Sequence, residues 1–532
     1  MFDLLISNGL VYDGTGGAAF PGDILVSGEK IADVIRRAPG NAGPAPEAAT
    51  VIDAAGRIVT PGFVDAHSHS DFNVLANPNV ESKLRQGITT EIIGQCGDSA
   101  FPLAGAALEA AREDNRRIEV DIDWSDIEGY CARVAAARPA VNLATFVGHG
   151  TIRGAVIGND DRPPSPDELG AMVREVEKAM GHGAWGVSTG LIYPPGFFAG
   201  TDEIVALMRV AARRGGIYSS HVRGEGDTLL EAADEFLKVV EQADCQGQFS
   251  HLKACGPANW GKTARVVNRI EQANSNGGRI RFDKYPYIAS STSLASLLPR
   301  WARDGGPEAV LRRLADPQLR SSILREAKVR NEGRDGWNSV LICSADCSEY
   351  DCYQGKTIGE IAALAGKDPD DVFLDLLAKS RLLTSICNFT MSQEETDLVL
   401  QHPLGMVCTD SGARAPYGPL AKDTPHPRAY GTFGKFFRDY VKEQPRVSLE
   451  AAVAKATSLP CDTFGFRQRG RLAPGYFADI LVIDWPRFED RARFSDPHHY
   501  CEGIDAIIVN GTLTLHRDQL TGQRNGQVLL KS

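Results

Sequence analysis

The stretch "TPGFVDAHSHSD", residues 60–71, sets His67 and His69 one residue apart directly after a short apolar run. In an extended strand, side chains at i and i+2 leave the same face. Two imidazoles a few ångströms apart suit a shared metal ion, because two protonated rings would only repel. Alone, the pair reads equally well as a polar strand end with solvated histidines. Its company decides. "TTEIIGQCGDS" ends in Cys96, "GIYSSHVRGE" in His221, "GQFSHLKACG" in His251 and "GMVCTDSG" in Asp410, each just beyond its own apolar run. A lone strand-end cysteine is more often a small buried apolar residue. Together, however, imidazole and carboxylate suit a divalent transition ion, and thiolate narrows the choice toward zinc. Zinc in such a set brings the pKa of bound water to roughly 7 and polarises a carbonyl. Asp410 can take the water's proton and deliver it to a leaving amine. This is hydrolytic chemistry; zinc does not cycle as a redox centre would.

Such residues converge only if the fold brings strand ends together. "NLATFVGHG", "AWGVSTGL", "GGIYSSHV", "CQGQFSHL", "RIRFDKYPY" and "LGMVCTDSG" are short apolar runs that stop at polar residues. Between several of them lie helical patterns, "SPDELGAMVREVEKAMGHG" and "TLLEAADEFLKVVEQAD", with apolar residues near i, i+3, i+4 and i+7. This alternation predicts an α/β fold with a parallel sheet, a (β/α)8 TIM-like barrel over residues 61–465. A doubly wound open sheet is the alternative, but no G-X-G-X-X-G follows a first strand. Residues 1–60 and 466–532 share another texture, short β-type runs punctuated by Gly and Asp, and predict a small β-sandwich domain built from both ends. Residues 300–395 break the rhythm and show no clear strand–helix pair. An insertion there, after a barrel strand, would lie over the active-site face as a lid.

Composition narrows the function classes. A formal charge of −11 and the lack of a basic block argue against a nucleic-acid surface. No apolar run approaches the roughly 20 residues that span a bilayer. The opening "MFDLLISNGLVYDG" reads straight into a strand with no basic leader. The 11 scattered cysteines are an odd number, simplest as reduced thiols in a cytoplasmic protein. The expected partner is a small-molecule substrate. Whether copies of the chain associate into a homo-oligomer is left open.

These residues resemble a known group. "PGFVDAHSHSD", the later single histidines and the terminal Asp look like the amidohydrolase superfamily, and "GRLAPGYFADILVID" looks like its return to the small β-sandwich. "GQCGDSAFPL", "VGHGTIRGAVIG", "GAWGVSTGLIYPPG", "FDKYPYIASST" and "HPRAYGTF" resemble, more specifically, the N-acyl-D-amino-acid deacylases, or D-aminoacylases, and the likeness covers nearly the whole chain. The resemblance implies a tight zinc on Cys96, His221 and His251. It sets a second, weaker position at His67, His69 and Asp410, with Cys96 able to bridge the two and Asp410 as general acid/base. It also implies that Tyr285, Ser291 and Arg428 recognise the substrate's α-carboxylate. A guanidinium takes a carboxylate bidentately while hydroxyls add directional bonds. With the carboxylate fixed and the acyl carbonyl at the ion, one side-chain direction stays open, a geometric route to D-selectivity.

Lys253, two residues after His251, either points into the pocket and favours an acidic side chain, with Arg300 assisting, or pairs with a structural carboxylate. The long loop between Asp410 and Arg428 leaves the reach of Arg428 open. His149 ends a strand, and its expected role is an orienting hydrogen bond. Two other functions stay in view. One is another metal-dependent amide hydrolase, a dipeptidase, amidase or hydantoinase-like cyclic amidase, although no clear candidate for the carboxylated lysine of hydantoinases is found. The other is a silent scaffold, against which the intact ligand set argues.

Overall fold

The structure is a computed structural model that describes residues 1–37, 46–330 and 335–531. Parallel strands carry the middle of the chain. Phe63–Asp65, Ile88–Ile93 and Asn142–Thr145 form one sheet. Val147–Gly148, Gly186–Gly190, Ile217–His221, Gln246–Phe249, Ile280–Lys284 and Gly405–Val407 form a second, paired in that order and all parallel. Phe146 alone separates the last strand of the first sheet from the first strand of the second. At the opposite margin Ala66 N lies 3.5 Å from Val407 O, and Asp410 N donates to His67 O at 2.9 Å. The strand order never reverses, so these strands lack the switch point of a doubly wound sheet.

The helices between the strands form where the sequence pattern places them. Pro166–Gly181 starts in a capping box: Glu168 N donates to the Ser165 hydroxyl at 3.3 Å, and the Glu168 carboxylate accepts from Ser165 N at 2.7 Å. Its inner stripe is Met172, Val176, Ala179 and Met180. Leu229–Ala243 buries Ala232, Ala233, Phe236, Val239 and Val240, and ends where Asp244 turns left-handed at φ 50°.

The two ends of the chain meet in one sheet. Ile58–Pro61 pairs antiparallel with Ile480–Ile483, which joins the strands within residues 2–61 to those within 480–520 edge to edge. The pairing makes a single nine-stranded sheet rather than two separate ones. Ile6, Ile24, Val26 and Val59 share its core with Ile480, Val482 and Ile508. The sheet stops short of residue 532. Beyond it the chain returns to the parallel strands: Leu143 N donates to Gln527 O at 2.9 Å, and Lys531 N to Gly183 O at 2.8 Å.

The segment that breaks the alternation is more ordered than its sequence suggests. Val340–Ser344, Ser385–Phe389 and Ala289–Ser293 form a three-stranded antiparallel sheet. Helices including Gly306–Ala315, Ile358–Ala365 and Pro369–Lys379 pack with it around Leu294, Val310, Ile342, Ile361, Phe373 and Leu377. Its strands escape a local reading because each partner lies 41 or more residues away, so no hairpin signal marks them. Among the described residues no helix is long and apolar enough to cross a membrane.

Candidate metal centre and active site

His67 and His69 follow the strand Phe63–Asp65 rather than extending it. What aims them is a buried support beneath. Lys83 Nζ donates to Asp65 Oδ2 (2.8 Å), Ser68 Oγ (3.0 Å), Thr409 Oγ1 (2.5 Å) and Ser411 O (2.6 Å), and the hydroxyls of Ser68 and Ser70 donate to Glu91. Ser68 and Ser70 therefore point down into the protein. His67 and His69 point the other way, their rings 5.2 Å apart.

Three other strands turn abruptly to deliver their residues. Cys96, His251 and Asp410 have φ of 53°, 37° and 49°, a left-handed conformation that non-glycine residues adopt rarely and that clusters at functional sites. Glycine is required beside the first of these turns. A Cβ on Gly190 would meet Cys96 O at 1.9 Å, so only a bare backbone lets the Cys96 loop rest on that strand end.

The result is a tight donor cluster. Cys96 Sγ lies 3.3 Å from His67 Nε2, 3.6 Å from His221 Nδ1 and 3.5 Å from His251 Nε2. Asp410 Oδ1 lies 3.1 Å from His69 Nε2 and 3.4 Å from His67 Nε2. Ligand atoms of His67, His69, Cys96 and Asp410 all fall within 4.8 Å of one another, as do those of Cys96, His221 and His251, so the sulfur belongs to both groups. A tetrahedral zinc with Zn–S about 2.3 Å and Zn–N about 2.0 Å sets S···N near 3.5 Å. The Cys96–His221 and Cys96–His251 separations match that spacing, and the residues fit the ion. Burial alone would push the Cys96 thiol up. The charges of His67 and His251 and hydrogen bonds to His221 and His251 outweigh it and hold the group well below the usual thiol range, the thiolate a metal ligand must be.

The cluster opens on a cavity of about 540 Å³ that Tyr285, Ser291, Arg428, Lys253 and Tyr193 also line. The loop from Asp410 to Arg428 folds back on fixed points. Ala413 N donates to Ser70 Oγ (2.9 Å), Arg414 N to Ser82 Oγ (2.8 Å) and Thr424 N to Cys343 O (2.8 Å). Arg428 thereby starts its helix beside the cluster, and its Nη1 donates to Asp410 Oδ2 at 2.7 Å. Its Nε is buried with no hydrogen-bond partner, as is the hydroxyl of Tyr285, whose ring lies 4.6 Å from the guanidinium. Burial would raise the Asp410 carboxyl; Arg428, with the imidazoles, holds it well below the usual carboxylate range.

Residues 50–514 match the family described as the amidohydrolase family. The chain belongs to that family. Within it, the chain is 36% identical over 515 residues to the N-acyl-D-glutamate deacylase of Alcaligenes xylosoxydans xylosoxydans, covering 96% of this chain and 93% of that one. It is 31% identical to the D-aminoacylase of the same organism, over 100% of this chain and 98% of the relative. Among solved structures it resembles N-acyl-D-glutamate deacylase from Bordetella bronchiseptica, complexed with zinc and a phosphonate inhibitor that mimics the reaction's tetrahedral intermediate. The TM-score is 0.82, with 32% identity and 99% of each chain covered.

In this amidohydrolase the six ligand residues named from sequence lie together. So do Arg428, Tyr285 and Ser291, around one cavity. Lys253 lines that cavity, but its ammonium is committed: Nζ donates to Glu225 Oε1 at 2.5 Å and to His251 O at 3.1 Å. The structural-carboxylate alternative is the arrangement seen. Arg300 does not line the cavity; it forms two hydrogen bonds to Asp161 at the surface, at 2.8 and 3.1 Å. His149 is buried and makes a 2.8 Å hydrogen bond to Glu203, which also accepts from Arg153 at 2.6 Å.

Four residues of the site went unassigned in the sequence. Asp283 accepts from His251 N at 2.8 Å and lies 3.5 Å from His67 Nδ1. Tyr193 packs edge-on against His221 at 5.1 Å and shares a 3.1 Å hydroxyl hydrogen bond with Thr292. His426 accepts from Arg428 N at 3.0 Å and bonds Ala289 O at 2.9 Å, which fixes the start of the Arg428 helix. Glu225 is the fourth. "HVRGEG", "FDKYPY" and "HPR" each carried one of them within a motif already singled out, but nothing in the spacing told support from ligand.

Proposed function

We propose that this chain is a zinc-dependent N-acyl-D-amino-acid deacylase, hydrolysing a carbon–nitrogen bond other than a peptide bond to give a carboxylate and a free D-amino acid. The observation that carries the reading is one cavity with two chemistries: a sulfur–imidazole–carboxylate donor set, and beside it the buried Arg428 Nε and Tyr285 hydroxyl with no partner in the protein. Leaving buried donors unpaired is costly, and a carboxylate supplies what both lack. The full-length likeness to deacylases of N-acyl-D-amino acids supports it.

Within this proposal Cys96, His221 and His251 hold the tight zinc, and His67, His69 and Asp410, with Cys96 in common, face a weaker second position. Zinc bound there supplies Lewis acidity toward the acyl carbonyl and water. Arg428, Tyr285 and Ser291 hold the α-carboxylate and so fix the substrate's direction in the cavity. Asp410 takes the proton of the attacking water and passes it to the amide nitrogen as that bond breaks. The parallel strands close as a (β/α)8 barrel at residues 61–465, the terminal strands make the small domain, and the insertion of about residues 300–395 acts as the lid. The setting is cytoplasmic, and the described cysteines are all free thiols.

The test is a panel of N-acyl-D-amino acids with acidic, apolar and basic side chains beside their L-enantiomers, assayed with zinc. Release of amine from the D-series alone is expected. Equal rates on the L-series would overturn the stereochemical assignment.

A further inference from the structure

Glu225 stands four residues after His221, and its Oε1 meets three groups at once. It lies 3.2 Å from His251 Nδ1, 3.6 Å from His221 Nε2 and 2.5 Å from Lys253 Nζ. The two histidines aim opposite ring nitrogens at Cys96, Nδ1 of His221 and Nε2 of His251. An imidazole that gives one nitrogen's lone pair to a metal carries its proton on the other nitrogen. In both rings that other nitrogen faces the same Glu225 oxygen. His221 Nε2 is buried and has no hydrogen-bond partner among the described residues; the Glu225 oxygen, 3.6 Å away and just beyond hydrogen-bonding distance, is the carboxylate it faces. The Lys253 ammonium also lies 2.6 Å from His251 Nδ1; once Nε2 is given to a metal and Nδ1 carries the proton, both groups are donors and Glu225 Oε1 is the acceptor within reach of each.

We infer that Glu225 is the positioning residue of the zinc centre, one carboxylate setting the tautomer and orientation of two ligand histidines on different strands, with Lys253 as its counter-charge. A carboxylate behind a ligand histidine orients the ring and raises its basicity, and its loss costs about 10–100-fold in metal affinity. Here two ligands depend on one group, so the larger end of that range is expected. The inference rests on the zinc reading above. It also gives Lys253 a role inside the centre, because its charge is already balanced before any substrate enters.

The experiment measures zinc affinity by chelator competition in the full chain, wild type beside Glu225→Gln and Lys253→Met, with thermal unfolding of each metal-free protein. Glu225→Gln keeps the side chain's size and one acceptor oxygen but removes the negative charge and turns the other oxygen into a donor. It is expected to weaken zinc about 10–100-fold and to shift the visible spectrum of the cobalt-substituted protein, while the metal-free melting temperature also falls, as it should in Lys253→Met, because each leaves the other charge buried without its partner. Lys253→Met is expected to weaken zinc less. Zinc affinity in Glu225→Gln within twofold of wild type, with an unshifted cobalt spectrum, overturns the inference. So does a fall in melting temperature with affinity unchanged, which would make Glu225 merely structural. A wild-type chain that binds no zinc overturns the zinc reading and this inference together. A wild type that binds zinc but releases no D-amino acid overturns only the substrate assignment.

Discussion

Two buried polar clusters sit back to back at the end of the strand Phe63–Asp65, and they are built on opposite rules. Below, Lys83 is enclosed by Asp65 and Glu91, with Ser68, Thr409 and the Ser411 carbonyl completing its shell, and the three charged side chains are fully buried. Every donor of the ammonium has an acceptor inside the protein. Above, four imidazoles, a thiol and a carboxylate crowd within a few ångströms, and the cations beside them, Arg428 and Lys253, are each already paired with a carboxylate. Metal-ligand atoms from six residues converge there. In the first cluster the charge is balanced within the protein, whereas the second is a donor set that, under the proposed function, an ion would complete. Buried polarity alone therefore does not mark a functional site; a convergence of metal-ligand atoms points to one.

That contrast breaks or sharpens by substitution. The largest effect is expected from Cys96→Ala, which removes the sulfur common to both donor groups: zinc content by elemental analysis should fall to background and turnover with it. Full zinc retention would deny the upper cluster its metal. Asp410→Asn should keep the tight zinc and lower kcat/KM by about 10²–10⁴; near-normal turnover would remove Asp410 as the proton carrier. Lys83→Met strikes the lower cluster, leaving Asp65 and Glu91 buried with no counter-charge. Denaturant unfolding should show a loss of about 3–5 kcal/mol, while the protein that remains folded binds zinc normally. A stability loss under about 1 kcal/mol would mean that the lower cluster rearranges or hydrates. The smallest effect is on Arg428→Ala, where one charged hydrogen-bond partner worth about 1.5–3 kcal/mol is lost. KM for carboxylate-bearing substrates should rise about tenfold or more and KM for neutral amides little. Equal changes would argue against carboxylate recognition.

The upper cluster was the more legible of the two in the sequence, since its members close apolar runs and are chemically unusual there. Lys83, by contrast, lies in "ESKLRQG" and reads as a surface helix residue, because local sequence does not show that the helix Glu81–Leu84 is buried throughout. Glu225 and Asp283 belonged to quoted motifs but look like any carboxylate beyond a strand. The insertion was legible as an interruption and not as a sheet, because its strands pair across 41 to 100 residues. Arg428 was named, yet its reach depended on three hydrogen bonds from the preceding loop to distant residues.

By itself the sequence determined the alternation of strand and helix, the two β-rich ends and which side chains stand where strands stop, because periodicity and strand termination are local properties. Only the tertiary structure decided that one sulfur belongs to both donor groups, that one Glu225 oxygen faces both His221 and His251 and that Lys253 is already paired. Those facts are distances between residues far apart in the chain. Packing sets such distances through the close contact at Gly190, the left-handed turns at Cys96, His251 and Asp410, and the buried Lys83 shell that aims His67 and His69 upward.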